Sequence, residues 1–146
     1  MASGQMMEVL VHSSEIPWRP LGPGTSYRLL RLSEETGVWT IMLKMEPGAV
    51  FAPHKHLGAS ELFMLQGLTK DRQGLTRTGD YQYEPIGMVH EATTAIEEST
   101  LIFTAHGPIA FFNEQGGISM VLDWEFFAKD RQQAAQDPKF SAKKAA

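Results

Sequence analysis

Apolar residues in this chain fall in short runs that alternate with polar ones, and one run sets the pattern. Val38, Thr40, Met42 and Lys44 interleave with Trp39, Ile41, Leu43 and Met45, a period of two that predicts a strand burying the second set. Residues 26–32 form a matching run, and Ser33-Glu34-Glu35-Thr36-Gly37 between the two is a polar turn, so the pair reads as a hairpin. Upstream, residues 8–12 predict a short strand, and residues 16–24, dense in Pro and Gly, predict an ordered loop anchored by Trp18.

Downstream of the Glu46-Pro47-Gly48 turn, residues 49–56 predict a strand, and a new one starts at Glu61 with Glu61, Phe63 and Leu65 on one face. Residues 68–79 are polar and glycine-containing, which suggests a strand and turn at the surface with solvated charges. Residues 80–84 alternate, Pro85-Ile86-Gly87 turns, and residues 89–94 predict a strand with His90, Ala92 and Thr94 on one face. Further apolar runs cover 100–104, 109–112 and 118–122. Many short strands divided by Gly or Pro turns predict an all-β sandwich or barrel. One helix breaks the rule: Asp123 suits an N-cap, Trp124, Phe127 and Ala128 recur at helical spacing, and Pro138 lies beyond the end. The first five residues are expected to fray, and residues 140–146, rich in Lys and Ala, to be disordered.

Composition narrows the chemistry. A chain of 146 residues suits one domain around one core. The net charge is −4, with basic residues scattered among acidic ones, so no nucleic-acid footprint is visible. There is no cysteine, which excludes disulfides, thiolate ligands and a thiol nucleophile and fits a reducing compartment. No run approaches the roughly 20 apolar residues of a membrane-spanning helix, and residues 1–20 show no basic-then-apolar leader. The expected location is the cytoplasm.

His54 and His56 are one residue apart, so a strand would direct both imidazoles to one point, as a strand presents two metal ligands. Glu61 and, after the Pro-Gly turn, His90 complete a set of three imidazoles and a carboxylate. Neutral imidazoles suit Fe, Zn, Ni and Cu, and the ligands alone leave the metal open.

The spacing is Gly48-x5-His54-x-His56-x4-Glu61-x5-Gly67, then Gly79-x5-Pro85-x-Gly87-x2-His90-x3-Thr94. It resembles the paired motifs of the cupin superfamily, in which two His and a Glu come from the first motif and the last His from the second. Two departures are a first motif one residue short before Gly67 and Thr94 where asparagine is usual. The flanks Trp39-Thr40-Ile41-Met42-Leu43, Glu46-Pro47-Gly48-Ala49, His106-Gly107-Pro108-Ile109-Ala110-Phe111-Phe112 and Val121-Leu122-Asp123-Trp124 look like those of small single-domain cupins related to acetylacetone-cleaving and dihydroxyacetophenone dioxygenases.

That resemblance implies an all-β jelly-roll barrel (a double-stranded β-helix) over about residues 26–122, with a short helix over 123–136. It implies one divalent metal per chain, Fe(II) first and Zn or Ni as alternatives, on His54, His56 and His90. The implied reaction is cleavage of a carbon–carbon bond in a β-diketone-like or hydroxyketone substrate by dioxygen, in a homodimer. Glu61 is the hinge of the assignment, either a fourth ligand that removes one open position and one unit of charge, or a carboxylate hydrogen-bonded to an imidazole. Phe63, Tyr81, Tyr83, Met88 and His106 are candidates to line the substrate pocket, although Phe63, like Leu65, Phe103, Phe111 and Phe112, fits the barrel core before the pocket wall. Two rival readings use the same barrel: a metal-binding sensor without turnover, like the cupin halves of zinc-responsive anti-sigma factors, and a Zn or Ni isomerase or lyase.

Overall fold

The computed structural model of the protein describes residues 8–137; the expectations for the first five residues, for Pro138 and for the 140–146 tail lie outside them. The described residues fold into short antiparallel strands in three sheets, followed by one helix. The strands are β1 (Arg19–Gly22), β2 (Thr25–Leu32), β3 (Trp39–Met45), β4 (Val50–Phe51), β5 (His54–His56), β6 (Ser60–Gln66) and β7 (Leu68–Asp71). They continue as β8 (Gly74–Arg77), β9 (Tyr81–Glu84), β10 (Val89–His90), β11 (Thr93–Ala95), β12 (Ser99–Ala105), β13 (Ile109–Phe112) and β14 (Ile118–Leu122), and then α1 (Trp124–Gln136). A six-stranded sheet runs β1-β2-β3-β12-β6-β9, and two four-stranded sheets run β10-β5-β13-β14 and β4-β11-β7-β8.

The β2–β3 hairpin forms in the predicted place, and Trp39, Ile41, Leu43 and Met45 are all buried while the residues between them are not. Across from them β12 contributes Leu101, Phe103 and Ala105, so the core fills from two strands that each alternate cleanly. Residues 8–12 form no strand; a single 3-10 turn, Ser13–Glu15, follows them. The single strand expected over 49–56 is two, because Pro53 has no N–H to give a ladder and the chain turns there from one sheet into another: β4 pairs with β11, β5 with β10 and β13. The run 89–94 divides in the same way into β10 and β11.

Asp123 caps α1 by accepting the Phe126 N–H at 2.9 Å. Phe127, fully buried, seats the helix against Tyr27 and Trp39, with ring centroids 5.0 and 4.8 Å away. Asp130 adds a polar clasp, accepting two hydrogen bonds from Arg19 at 2.6 and 2.7 Å and one from the Tyr27 hydroxyl. Among the described residues, no helix is long and apolar enough to cross a membrane.

Candidate metal centre

Strand alternation buries both histidines of β5 and leaves Lys55 between them exposed. His90 lies directly across the β5–β10 ladder from His54, and the two rings stack at 5.1 Å with 9° between their planes. A turn fixes that pairing. Gly87 has φ +84°, a conformation glycine adopts without strain, and its N–H reaches the His56 carbonyl at 2.7 Å while the His56 N–H reaches that of Met88 at 2.9 Å.

The carboxylate that meets the imidazoles is Glu84, at the end of β9. Its Oε2 is 2.8 Å from His56 Nε2 and its Oε1 is 3.1 Å from His90 Nε2. One ligand atom each from His54, His56 and Glu84 lies within 4.8 Å of the others, and all three residues are buried. Asp71, on β7, brings a second carboxylate: Oδ2 is 3.3 Å from His90 Nε2, and its side chain is 5% exposed. Ser60 links the group, its hydroxyl 3.0 Å from His56 Nδ1 and donating to Glu84 Oε2 at 2.9 Å.

The hydrogen bonds determine which ring nitrogens carry protons. His54 Nδ1 faces the Ala52 carbonyl at 2.7 Å and His90 Nδ1 that of Glu91 at 2.7 Å; a carbonyl only accepts, so each Nδ1 is the N–H. Ser60 spends its proton on Glu84, so His56 Nδ1 is also the donor. All three Nε2 atoms, when the rings are neutral, therefore aim lone pairs inward. His54 and His56 point theirs at each other across 3.0 Å, and Glu84 and Asp71 add only acceptors. Such an array calls for a positive charge at its centre, which either a proton on His90 Nε2, favoured by Glu84, or a metal ion supplies. Bonds of about 2.1 Å put adjacent donors of a six-coordinate ion about 3.0 Å apart, and the observed neighbours lie at 2.8, 3.0, 3.1 and 3.3 Å. By spacing and donor chemistry His54, His56 and Glu84 could hold a metal ion, with His90 against Glu84 at 3.1 Å.

Electrostatics divides the three rings. Burial holds the His54 pKa down at about 4, against the pull of the Ala52 carbonyl. The Glu84 carboxylate lifts His90 to about 9 despite burial. Burial alone would raise Glu84, but the hydrogen bonds that His56 and His90 donate when Nε2 carries a proton hold it well below the usual carboxylate range.

Glu61 is elsewhere. β6 turns Ser60, Leu62 and Met64 inward and Glu61, Phe63 and Leu65 outward, so the glutamate read as a ligand or imidazole partner is exposed, with its carboxylate on the Tyr81 hydroxyl. The parity is set by Ser60, which pairs with Glu84 on one side and Ala105 on the other. Phe63 and Tyr81, 45% and 59% exposed, share that outer face with Tyr83. None of Phe63, Tyr81, Tyr83, Met88 and His106 lines the cavity that reaches the site. Met88 serves through its backbone, and His106 is exposed on the β12–β13 turn. The cavity, of ≈ 40 Å³, is walled by Ile41, Leu43, Phe51, Leu62 and Phe103 and bordered by His54 and Glu84. The missed carboxylate had a signal: in Tyr81-Gln82-Tyr83-Glu84 the alternation puts Glu84 opposite the tyrosines, immediately before the turn that delivers His90. Asp71 had none, lying in a polar hairpin.

The chain is 31% identical over 107 residues, 69% of its length and 70% of the relative's, to the acetylacetone-cleaving enzyme of Acinetobacter johnsonii. The crystal structure of an acetylacetone dioxygenase from that organism superposes with a TM-score of 0.74 at 25% identity, covering 86% of this chain and 90% of the other. An acetylacetone dioxygenase-like protein of Methylibium petroleiphilum PM1 superposes with a TM-score of 0.79 at 27% identity, over 86% and 94% of the two chains. The family model for the ChrR cupin-like domain matches residues 6–110. With its strands, its jelly-roll sheets and most of its length accounted for, the chain belongs to the ChrR cupin-like family of the cupin fold.

Proposed function

We propose that the protein is an Fe(II)-dependent dioxygenase that cleaves a carbon–carbon bond of a small β-diketone-like substrate. The observation that carries this reading is the convergence of three buried imidazoles with one buried carboxylate, Glu84, which contacts His56 and His90 while His54 faces His56, beside an apolar cavity, in a chain similar to acetylacetone-cleaving enzymes. On this reading His54, His56 and His90 hold one metal per chain, with Glu84 as the adjoining carboxylate. When bound, the metal would supply Lewis acidity toward the two substrate oxygens and a site at which dioxygen reacts, the electrons that reduce dioxygen coming from the substrate whose carbon–carbon bond is cleaved.

The chain's own residues supply the rest. Glu84 Oε1, which carries no serine bond, accepts the proton from the carbon between the two carbonyls, while Oε2 stays anchored by Ser60. The backbone carbonyls of Ala52 and Glu91 and the Ser60 hydroxyl hold the three rings in orientation. Ile41, Leu43, Phe51 and Phe103 keep water from the reacting carbon, and the ≈ 40 Å³ they leave, room for about three water molecules, favours short alkyl substituents. The working unit on this reading is a homodimer, to which exposed Val9 and Leu10 offer an apolar segment ahead of the barrel.

The test is to purify the protein, strip it, reload it anaerobically with Fe(II), and follow dioxygen uptake with acetylacetone and longer diketones. Uptake that stays at the no-enzyme rate across the panel, together with tight Zn binding, would replace the dioxygenase reading by the sensor.

A further inference from the structure

Asp71 lies outside both sequence motifs, yet it is the second carboxylate on His90. It comes from β7, in a different sheet from the histidine strands. Both oxygens are held: Oδ1 accepts the Gln73 N–H at 2.8 Å, which closes the hairpin turn, and Oδ2 accepts the Gln82 amide at 3.1 Å while lying 3.3 Å from His90 Nε2. Gln82 is itself placed by β9, two residues before Glu84 on the same inward face, and lies 3.5 Å from the Thr76 hydroxyl. Two strands thus cooperate to aim one carboxylate oxygen at the lone-pair nitrogen of a histidine.

Against a bare Nε2 lone pair that arrangement is unfavourable, for a buried carboxylate is repelled there and the side chain is 95% withdrawn from the water that would solvate it elsewhere. A cation on His90 Nε2, whether a proton or a metal ion, reverses the sign of the contact. We propose that Asp71 is a second anionic partner of the metal at this centre, so that Glu84 and Asp71 together neutralise a divalent ion held by the three imidazoles. The inference rests on the metal-centre reading above. It changes the charge of the site: three neutral ligands alone leave two positive charges, whereas two flanking carboxylates leave none. The centre then retains divalent ions tightly and discriminates against small anions as further ligands.

The experiment compares the full-length wild type with Asp71→Asn, which keeps the shape and removes the charge, and with Gln82→Leu, which keeps the charge and removes the amide that aims it. Affinity for Co(II) and Zn(II) is measured by chelator competition, and the visible spectrum of the Co(II) form is titrated with azide. Asp71→Asn should bind both metals about tenfold or more weakly, take up azide more tightly and change the Co(II) spectrum; Gln82→Leu should weaken metal binding by a smaller factor in the same direction. A residue that only braces the fold would lower the melting temperature of the metal-free protein and leave the metal Kd and azide titration alone. Metal affinities within twofold of wild type in either folded variant, with an unchanged Co(II) spectrum, overturn the proposal. Failure of the wild type to bind any of these ions overturns the metal-centre reading instead.

Discussion

Ser60 and Glu61 are neighbours in sequence that point to opposite sides of β6, and replacing each in turn tests the whole construction of the site. Ser60 is fully buried and has no substitute for either of its site bonds. In Ser60→Ala the His56 Nδ1–H loses its acceptor, an unsatisfied buried donor that costs about 1–3 kcal/mol. Glu84 Oε2 loses a charge-assisted donor, a bond of about 1.5–3 kcal/mol. The two losses share one network and do not add in full, and Glu84 keeps its contacts with His56 and His90. The expected fall in unfolding free energy is therefore about 2–4 kcal/mol. With His56 free to rotate, metal affinity should fall by about 10–100-fold.

Glu61→Gln removes a charge from the exposed face and should leave stability within about 0.5 kcal/mol and metal affinity unchanged. Urea denaturation of the metal-free proteins and chelator competition for Zn(II) read both quantities. The opposite result, a Glu61 variant that loses metal and a Ser60 variant that does not, would mean that β6 is turned by one residue and that Glu84 is not the carboxylate of the centre.

Other consequences concern the frame around the site. Phe127→Ala should cost about 3–5 kcal/mol in urea unfolding, because a fully buried ring that touches Tyr27, Trp39 and Phe126 is removed from under α1; a loss below about 1 kcal/mol would show that the helix does not seat there. Gly58→Ala places a Cβ 2.6 Å from the backbone of His106 and Gly107, so the loop after His56 must move, and the variant should melt lower and hold metal less tightly; a wild-type melting curve would refute the close approach. Burial, then Asp130, raises the Tyr27 pKa, and an acid whose folded pKa is raised contributes stability that is complete below its unfolded value, about 10, and declines as pH rises through and beyond it. Tyr27→Phe should therefore be less stable at neutral pH yet lose less stability between neutral and strongly alkaline pH than wild type, and equal slopes would exclude the Tyr27–Asp130 bond as the cause.

How much of this could be read from the sequence depended on whether one strand or several had to be aligned. His54 and His56 need only a period of two, which holds wherever the strand begins, and His90 needs only the Pro85-Gly87 turn to bring β10 beside β5. The inward face of β3 was equally legible, since Thr40 and Lys44 oppose Trp39, Ile41, Leu43 and Met45. β6 offers no such contrast: Leu62 and Met64 face in, and Phe63 and Leu65 face out.

With apolar residues on both faces, the parity of β6 is decided by the loop before it, where Gly58 packs backbone to backbone on Gly107 and Ser60 locks to Ala105. That is a tertiary contact between segments about fifty residues apart, which no local period can carry. The carboxylate was misplaced for this reason alone, since a shift of one residue exchanges Glu61 for Ser60 at the imidazole. Asp71 was harder still, because its burial comes from Gln82 and His90 on two other strands, while its own neighbours, Lys70 and Arg72, are exposed as the polar composition of the hairpin would suggest. On the metal-centre reading, such a site in a barrel is legible in the ligands that share a strand or a turn, and hidden in the charges that the sheets bring to them from outside. Those charges would set the electrostatics of a bound ion.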